Sequence, residues 1–179
     1  MTALRTVPSE ELAPHDVSAI RGLLEEAFAE DPEGFTGDDW DHATGGLHFL
    51  LEEDGAVATH ASVVERELHA GGHRLATGYV EAVATRPGLQ GRGLGSAVMR
   101  EVGRHIDREF QLGALGGDPA FYGRLGWVAW RGPTFVRTDA GLVRTPDEDG
   151  FVLVRRTPTT PPLDLTAPIS CDWRPGDVW

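Results

Sequence analysis

Apolar and polar positions alternate in short bursts along most of this chain. The period switches repeatedly between two and about 3.6, which predicts a mixed α and β domain. Leu4-Arg-Thr-Val7 alternates as a first strand, and Val17, Ile20, Leu24, Ala27 and Phe28 then recur at helical spacing. Asp31-Pro-Glu-Gly34 breaks that helix. Asp38-Asp-Trp-Asp-His42 predicts a second, shorter one, with acids favourable at its start and Gly45-Gly46 at its end. Leu47 to Glu53, the Asp54-Gly55 turn, Val57 to Leu68 and, after Gly71-Gly72, Leu75 to Thr85 read as successive antiparallel strands. Leu94, Val98, Val102 and Ile106 then draw an apolar stripe along a third helix, with Arg100, Arg104 and Arg108 on other faces. Phe110 to Leu115 predicts a fifth strand and Pro119 to Leu125 a short helix closed by Gly126. Trp127 to Arg131 starts another strand, and Phe151 to Val154 is the last. Thr138 to Gly150 reads as polar and turn-rich, and beyond Thr157 a proline-rich tail runs to Trp179.

Composition narrows the class. With 179 residues, 40% hydrophobic and 25% charged, the chain suits one soluble domain spanning 1–179, with 157–179 as a tail. No apolar run approaches the roughly 18 residues of a membrane span, and the N-terminus lacks the order of a signal peptide, which makes the cytoplasm the expected compartment and excludes a membrane role. Cys171, the one cysteine, rules out an internal disulfide and reads as a small buried hydrophobe. The seven histidines, His42, His48, His60, His69 and His73 among them, show no metal-ligand spacing, so no metal is expected. A net charge of −12 disfavours nucleic acid and favours a cationic partner.

The richest local signal is Val83-Ala-Thr-Arg-Pro-Gly-Leu-Gln-Gly-Arg-Gly-Leu-Gly-Ser96, where a strand runs through a glycine-rich turn into the third helix. Glycines at 91, 93 and 95 let the backbone approach an anion closely, and the free N–H groups of the helix start point at it. A dinucleotide fingerprint is excluded because Ser96 stands where its third glycine belongs, and a P-loop because the chain has no lysine. A plain structural turn capping the helix is the other reading of so short a glycine cluster.

Gln90-Gly91-Arg92-Gly93-Leu94-Gly95 resembles the pyrophosphate signature Q/R-x-x-G-x-G/A of the GNAT acetyltransferases. The predicted element order resembles the same superfamily, as does Gly117-Asp-Pro-Ala-Phe-Tyr-Gly-Arg-Leu-Gly-Trp127. Further blocks are Gly45-Gly-Leu-His48, Gly78-Tyr-Val-Glu-Ala82, Gln111-Leu-Gly-Ala-Leu115 after Phe110, Trp130-Arg-Gly-Pro-Thr134 and Cys171-Asp-Trp-Arg-Pro-Gly-Asp-Val-Trp179. Together they resemble the aminoglycoside 2′-N-acetyltransferases from about Phe28 to the last residue. Two stretches depart from that family: Gly116-Gly-Asp-Pro119 is shorter than its serine-containing segment, and Pro32-Glu-Gly34 is inserted.

The resemblance implies an α+β fold in three layers, with a mixed, mostly antiparallel central sheet, flanking helices and acetyl-CoA bound at a splayed strand pair. It implies acetyl transfer to the 2′-amine of an aminoglycoside in a ternary complex. Another small-molecule amine would use the same chemistry, and a non-catalytic acyl-CoA sensor would use the cradle alone. An amine is mostly protonated near neutrality, so a carboxylate must take its proton, directly or through water. Glu81 reads either as an outward-facing strand residue or as that carboxylate, and the resemblance implies the second. Tyr122, otherwise a helix aromatic in the core, would protonate the leaving thiolate. Val83, Ala84 and Thr85 would hold the pantetheine arm by main-chain bonds, with the Val83 N–H polarising the carbonyl. Gln90, Gly91, Arg92, Gly93, Leu94, Gly95 and Ser96 would hold the diphosphate, and Arg92 reads as free to add charge or as a solvated helix-start residue. A polyamine would be met by Asp39, Glu81, Asp147, Glu148, Asp177 and the terminal carboxylate of Trp179, with Ala82 also at the substrate. Asp31 or a neighbour would replace the family's aspartate. An exposed sheet edge would allow a homodimer, which no residue pattern fixes.

Overall fold

The computed structural model describes residues 2–179; Met1, the first residue of the expected domain, lies outside the described residues. In chain order the elements are β1 (Thr2–Pro8), α1 (Pro14–Ala27), α2 (Gly37–Ala43), β2 (Leu47–Glu53), β3 (Ala56–Ala70), β4 (His73–Thr85) and α3 (Leu94–Glu109). There follow β5 (Leu112–Gly116), α4 (Pro119–Tyr122), β6 (Val128–Ala129), β7 (Thr134–Thr138), β8 (Gly141–Arg144), β9 (Val152–Arg156) and β10 (Ile169–Asp172). Contacts divide the chain into two compact units. The first comprises residues up to Val64 with Val80–Val102, and the second comprises Glu65–Tyr79 with Gly103–Trp179.

In the first unit β1 runs antiparallel to β2, from Thr2 opposite Glu53 to Pro8 opposite Leu47, and β2 runs antiparallel to the start of β3. The turn joining β2 to β3 places Asp54 at φ 52° and Gly55 at φ 83°. Both central residues are therefore left-handed, which matches the twist of a tight hairpin and explains the Asp-Gly pair. Ile20, Leu23 and Leu24 of α1 bury themselves against Leu50, Val57 and Ala84, with Phe28, Phe35 and Trp40 around them. Each fully buried leucine contributes on the order of 2 kcal/mol by leaving water.

In the second unit the strand order is β6-β9-β5-β4-β3-β10-β7-β8. The pairs β4–β5 and β10–β7 are parallel, while β5–β9, β6–β9, β7–β8 and β10–β3 are antiparallel. Gly78 on β4 lets α3 and the turn after it lie close: a Cβ there would meet Phe110 at 2.8 Å and Ile106 at 2.9 Å. The sheet is thus mixed and mostly antiparallel, as expected.

Four local expectations need correction. Phe110 caps α3, its N–H donating to Ile106 O at 3.0 Å, so β5 starts later than the apolar run suggested. The strand after Trp127 is only two residues long, because the backbone N–H groups of Arg131 and Gly132 turn to Leu165 O. The polar stretch 138–150 holds β8, a fully exposed edge strand whose sequence carries no buried face to announce it. The tail also joins the sheet, as β10 between β3 and β7, with Ile169, Ser170 and Cys171 buried.

Candidate active site

The first unit contains the cradle. Arg86 secures its entrance: the backbone N–H donates to Ala58 O at 2.9 Å, and the guanidinium reaches Val57 O at 3.1 Å and Glu26 at 2.5 Å. Gln90 turns back, its Nε2 donating to Thr85 O at 3.2 Å. Gly91 and Gly93 sit at φ 76° and 81°, where any side chain is strained, and nothing lies within 4 Å of where a Cβ would be. The loop is therefore glycine for its conformation and open in front, and it feeds the sixteen-residue α3, whose first turn begins with Leu94, Gly95 and Ser96. Open space, left-handed glycines and a helix N-terminus fit a diphosphate. Arg92 is engaged elsewhere, in a bidentate pair with Glu53 at 2.7 and 2.6 Å.

Immediately before the cradle, β4 departs from regular strand geometry. Ala82 lies at φ 50°, at a cost of roughly 1 kcal/mol for an alanine, and Glu81, Ala82 and Val83 are all half-buried where alternation would bury every second residue. Side chains of β3 tie this segment down. Ser62 Oγ donates to Glu81 O at 3.4 Å, His60 Nδ1 lies 2.7 Å from Ala82 O, and the Thr59 and Thr85 hydroxyls are 3.0 Å apart. Thr59, His60 and Ser62 are all fully buried. His60 continues outward through its Nε2, 2.9 Å from His48 Nδ1, and His48 Nε2 lies 2.8 Å from Ser9 Oγ.

Burial pushes His48 down to about 4 and His60 to about 3, the latter opposed by its bond to the Ala82 carbonyl. Both rings are therefore neutral in the folded chain, whereas in the unfolded chain they take up protons below about 6.5. Stability from this pair is complete above pH 6.5 and is lost as pH falls toward 4, by about 1.4 kcal/mol per ring per pH unit. Urea unfolding should show a loss of roughly 3 to 4 kcal/mol between pH 7 and pH 5. A stability flat across that window would mean that the rings are not held neutral.

Two acids of the first unit have local structural work. Asp39 Oδ2 accepts from both the N–H and the hydroxyl of Thr36 at 2.8 Å, the box that starts α2, and Asp31 Oδ1 accepts from the Glu33 N–H at 3.0 Å in a turn.

The second unit gathers the remaining candidates in two places. Tyr122, at the end of α4, packs edge-on against Phe121 at 4.8 Å and Trp127 at 6.5 Å. Burial, with Asp118 nearby, pushes its phenol up to about 12. The other place is the chain's end. The Trp179 indole donates to Thr145 Oγ1 at 3.0 Å, beside the Pro146–Glu148 turn that carries Asp147 and Glu148. Burial and the charges of Asp177 and Asp147 raise Glu148, so these acids sense one another. Such a cluster is stabilised by a polycation.

The residue that fixes this end is Arg66 on β3, which the sequence reading overlooked. It is 7% exposed, donates to Val178 O at 2.8 Å and to Asp172 O at 2.9 Å, and stacks 4.7 Å over the Tyr79 ring. An arginine inside the buried run of β3 is the signal that could have found it. Arg174 completes the clamp, with Nε 2.7 Å from Asp177 O. Cys171 is fully buried, as expected, and its thiol donates to Val178 O at 3.2 Å. Among the described residues no helix is long and apolar enough to cross a membrane, and no three metal-ligating side chains group to hold an ion.

Known proteins resemble this chain in sequence and in fold. The family model for the acetyltransferase (GNAT) domain covers residues 10–129. An aminoglycoside 2′-N-acetyltransferase from Mycolicibacterium fortuitum is 42% identical over 180 residues, covering 98% of this chain and 91% of that protein. A GNAT acetyltransferase from Brucella melitensis, solved with acetyl-CoA, superposes with TM-score 0.63 at 22% identity, covering 92% of this chain and 94% of that one. A GNAT N-acetyltransferase from Escherichia coli, solved with CoA, gives 0.64 at 17% identity, covering 95% and 89%. The chain belongs to the GNAT acetyltransferases and, within them, to the aminoglycoside 2′-N-acetyltransferases.

Proposed function

We propose that this enzyme transfers the acetyl group of acetyl-CoA to the 2′-amine of an aminoglycoside. The observation that carries the reading is the 42% identity to an enzyme of that name over 98% of the chain. The open glycine cradle and the acidic chain end supply sites of the right charge for the two substrates.

Acetyl-CoA supplies an activated thioester. The amides from Gln90 to Ser96 would hold its diphosphate, and main-chain groups of Val83 and Thr85 its pantetheine arm, with Ala84 between them. The Val83 N–H would polarise the acetyl carbonyl. Glu81 takes the proton from the substrate amine, and Tyr122 holds a proton for the sulfur. Asp147, Glu148, Asp177 and the Trp179 carboxylate bind the remaining ammonium groups, with Asp39, Asp31 and Ala82 as further candidates for the substrate.

Arg66→Met should release the chain end without emptying the core. The expected result is a KM for the aminoglycoside raised about tenfold, with acetyl-CoA affinity unchanged, because a charged hydrogen bond of 1.5–3 kcal/mol is lost. A changed acetyl-CoA affinity with unchanged KM would contradict that placement.

The function is tested by thiol release from acetyl-CoA with tobramycin, which carries a 2′-amine, against amikacin, which carries a 2′-hydroxyl. Release with tobramycin alone supports the reading. Release with neither, while acetyl-CoA still binds, moves the chain to another amine or to a sensor.

A further inference from the structure

The hydrogen-bonded chain of Ser9, His48 and His60 ends on the carbonyl of Ala82, and that end fixes the proton on each ring. A carbonyl only accepts, so His60 Nδ1 carries the hydrogen across the 2.7 Å contact. A neutral ring has one N–H, so His60 Nε2 accepts, and His48 Nδ1 must donate to it at 2.9 Å. His48 Nε2 is then left as an acceptor facing the Ser9 hydroxyl at 2.8 Å, closer than Gly46 O at 3.1 Å, the other acceptor within reach of that hydroxyl's single proton. Ser9 Oγ is itself held by the backbone N–H groups of Gly45 and Gly46 at 2.9 and 3.1 Å. The line runs from the turn after β1, across β2 and β3, to the one residue of β4 with a left-handed backbone.

We propose that Ser9, His48 and His60 are positioning residues for acetyl transfer: a hydrogen-bonded strut that pulls the Ala82 carbonyl inward and holds Ala82 left-handed. This sets the direction of the Glu81 side chain and of the Val83 N–H. The geometry supports this in three ways. Ala82 is an alanine held in the left-handed region, the strut grips its carbonyl and nothing else on β4, and the two histidines have no exposed surface through which to serve substrate directly. The neutral state of both rings keeps the polarity of the chain constant over the working pH range.

The inference rests on the roles proposed for Glu81 and Val83, and its test separates the two. In the unaltered protein, long-range proton–nitrogen NMR should find both rings as the Nδ1–H tautomer; an Nε2–H tautomer on either ring overturns the strut. His60→Asn should lower kcat and weaken acetyl-CoA binding by calorimetry, each by about tenfold, as Ala82 relaxes to extended backbone. In the Ala82→Gly background the same substitution should cost less than about threefold, because glycine adopts the left-handed conformation freely. Ser9→Ala, at the less buried end, should act in the same direction with a smaller loss and covers the case in which His60→Asn does not fold. Equal losses in the alanine and glycine backgrounds would reduce the histidines to core packing and overturn the inference. Full turnover by Glu81→Gln would remove the base assignment, and the acetyl-CoA binding ratios and the tautomers would still decide for or against the strut.

Discussion

Glu81→Gln is expected to lower kcat by about 100-fold or more while leaving the affinity for acetyl-CoA unchanged. The amide keeps the size of the carboxylate and accepts no proton at neutral pH, so it removes one function and little else. The backbone around it should hold, since Ser62, His60 and Thr59 secure residues 81 to 85 through groups the substitution does not touch. Because the amine must be neutral to attack, the defect should shrink as pH rises toward the pKa of the amine, where free base no longer depends on Glu81. Steady-state rates from pH 6 to 9.5 for both proteins, with calorimetric binding of acetyl-CoA, measure this. A variant within about threefold of the parent at pH 7 would assign the proton to another acceptor. Glu148 is the first candidate, since burial and its acidic neighbours make its carboxylate a stronger base than an exposed one.

Tyr122→Phe is expected to cost about 100-fold in kcat with a KM for either substrate changed little. The phenol is held up at about 12, so it remains protonated throughout the range in which the enzyme can be assayed. The sign is definite. A tyrosine acid at its ordinary value near 10 would begin to lose activity above pH 9, whereas this one should show no alkaline limb of its own below about pH 11. Gly117→Ala is a useful companion, because a Cβ there would collide with Cε2 of Tyr122 and must displace the ring. It should reproduce part of the Tyr122→Phe loss while keeping the hydroxyl. A Tyr122→Phe enzyme of normal rate would return the residue to core packing against Phe121 and Trp127.

The parts of the fold that were legible in the sequence are those whose cause is local. β2, β3 and β4 follow from apolar runs set off by the Asp54-Gly55 and Gly71-Gly72 turns, the first hairpin from two left-handed positions, and the cradle from Gly91 and Gly93, which the structure places at the φ values that require glycine. The illegible parts depend on partners distant along the chain. Arg66 lies 112 positions from Val178, and β10 is recognisable as a strand only once β3 and β7 stand on either side of it. The histidine strut was equally hidden. His48 and His60 carry no metal spacing, and their use depends on β2 and β3 pairing so that His48 stands opposite Ser62, with His60 on the same face. For the acids the sequence offered a set without an arrangement. The structure brings Asp147, Glu148, Asp177 and Trp179 to one end of the second unit, and gives Asp39 and Asp31 local bonds in the first.

The measurement that bears most directly on the central claim is the position of the acetyl group in the product formed from tobramycin and acetyl-CoA, read by two-dimensional NMR. One acetyl group is expected, on the 2′ nitrogen, with about a hundredth of that product or less when Glu81→Gln replaces the parent over the same interval. Acetylation at any other nitrogen of tobramycin would contradict it.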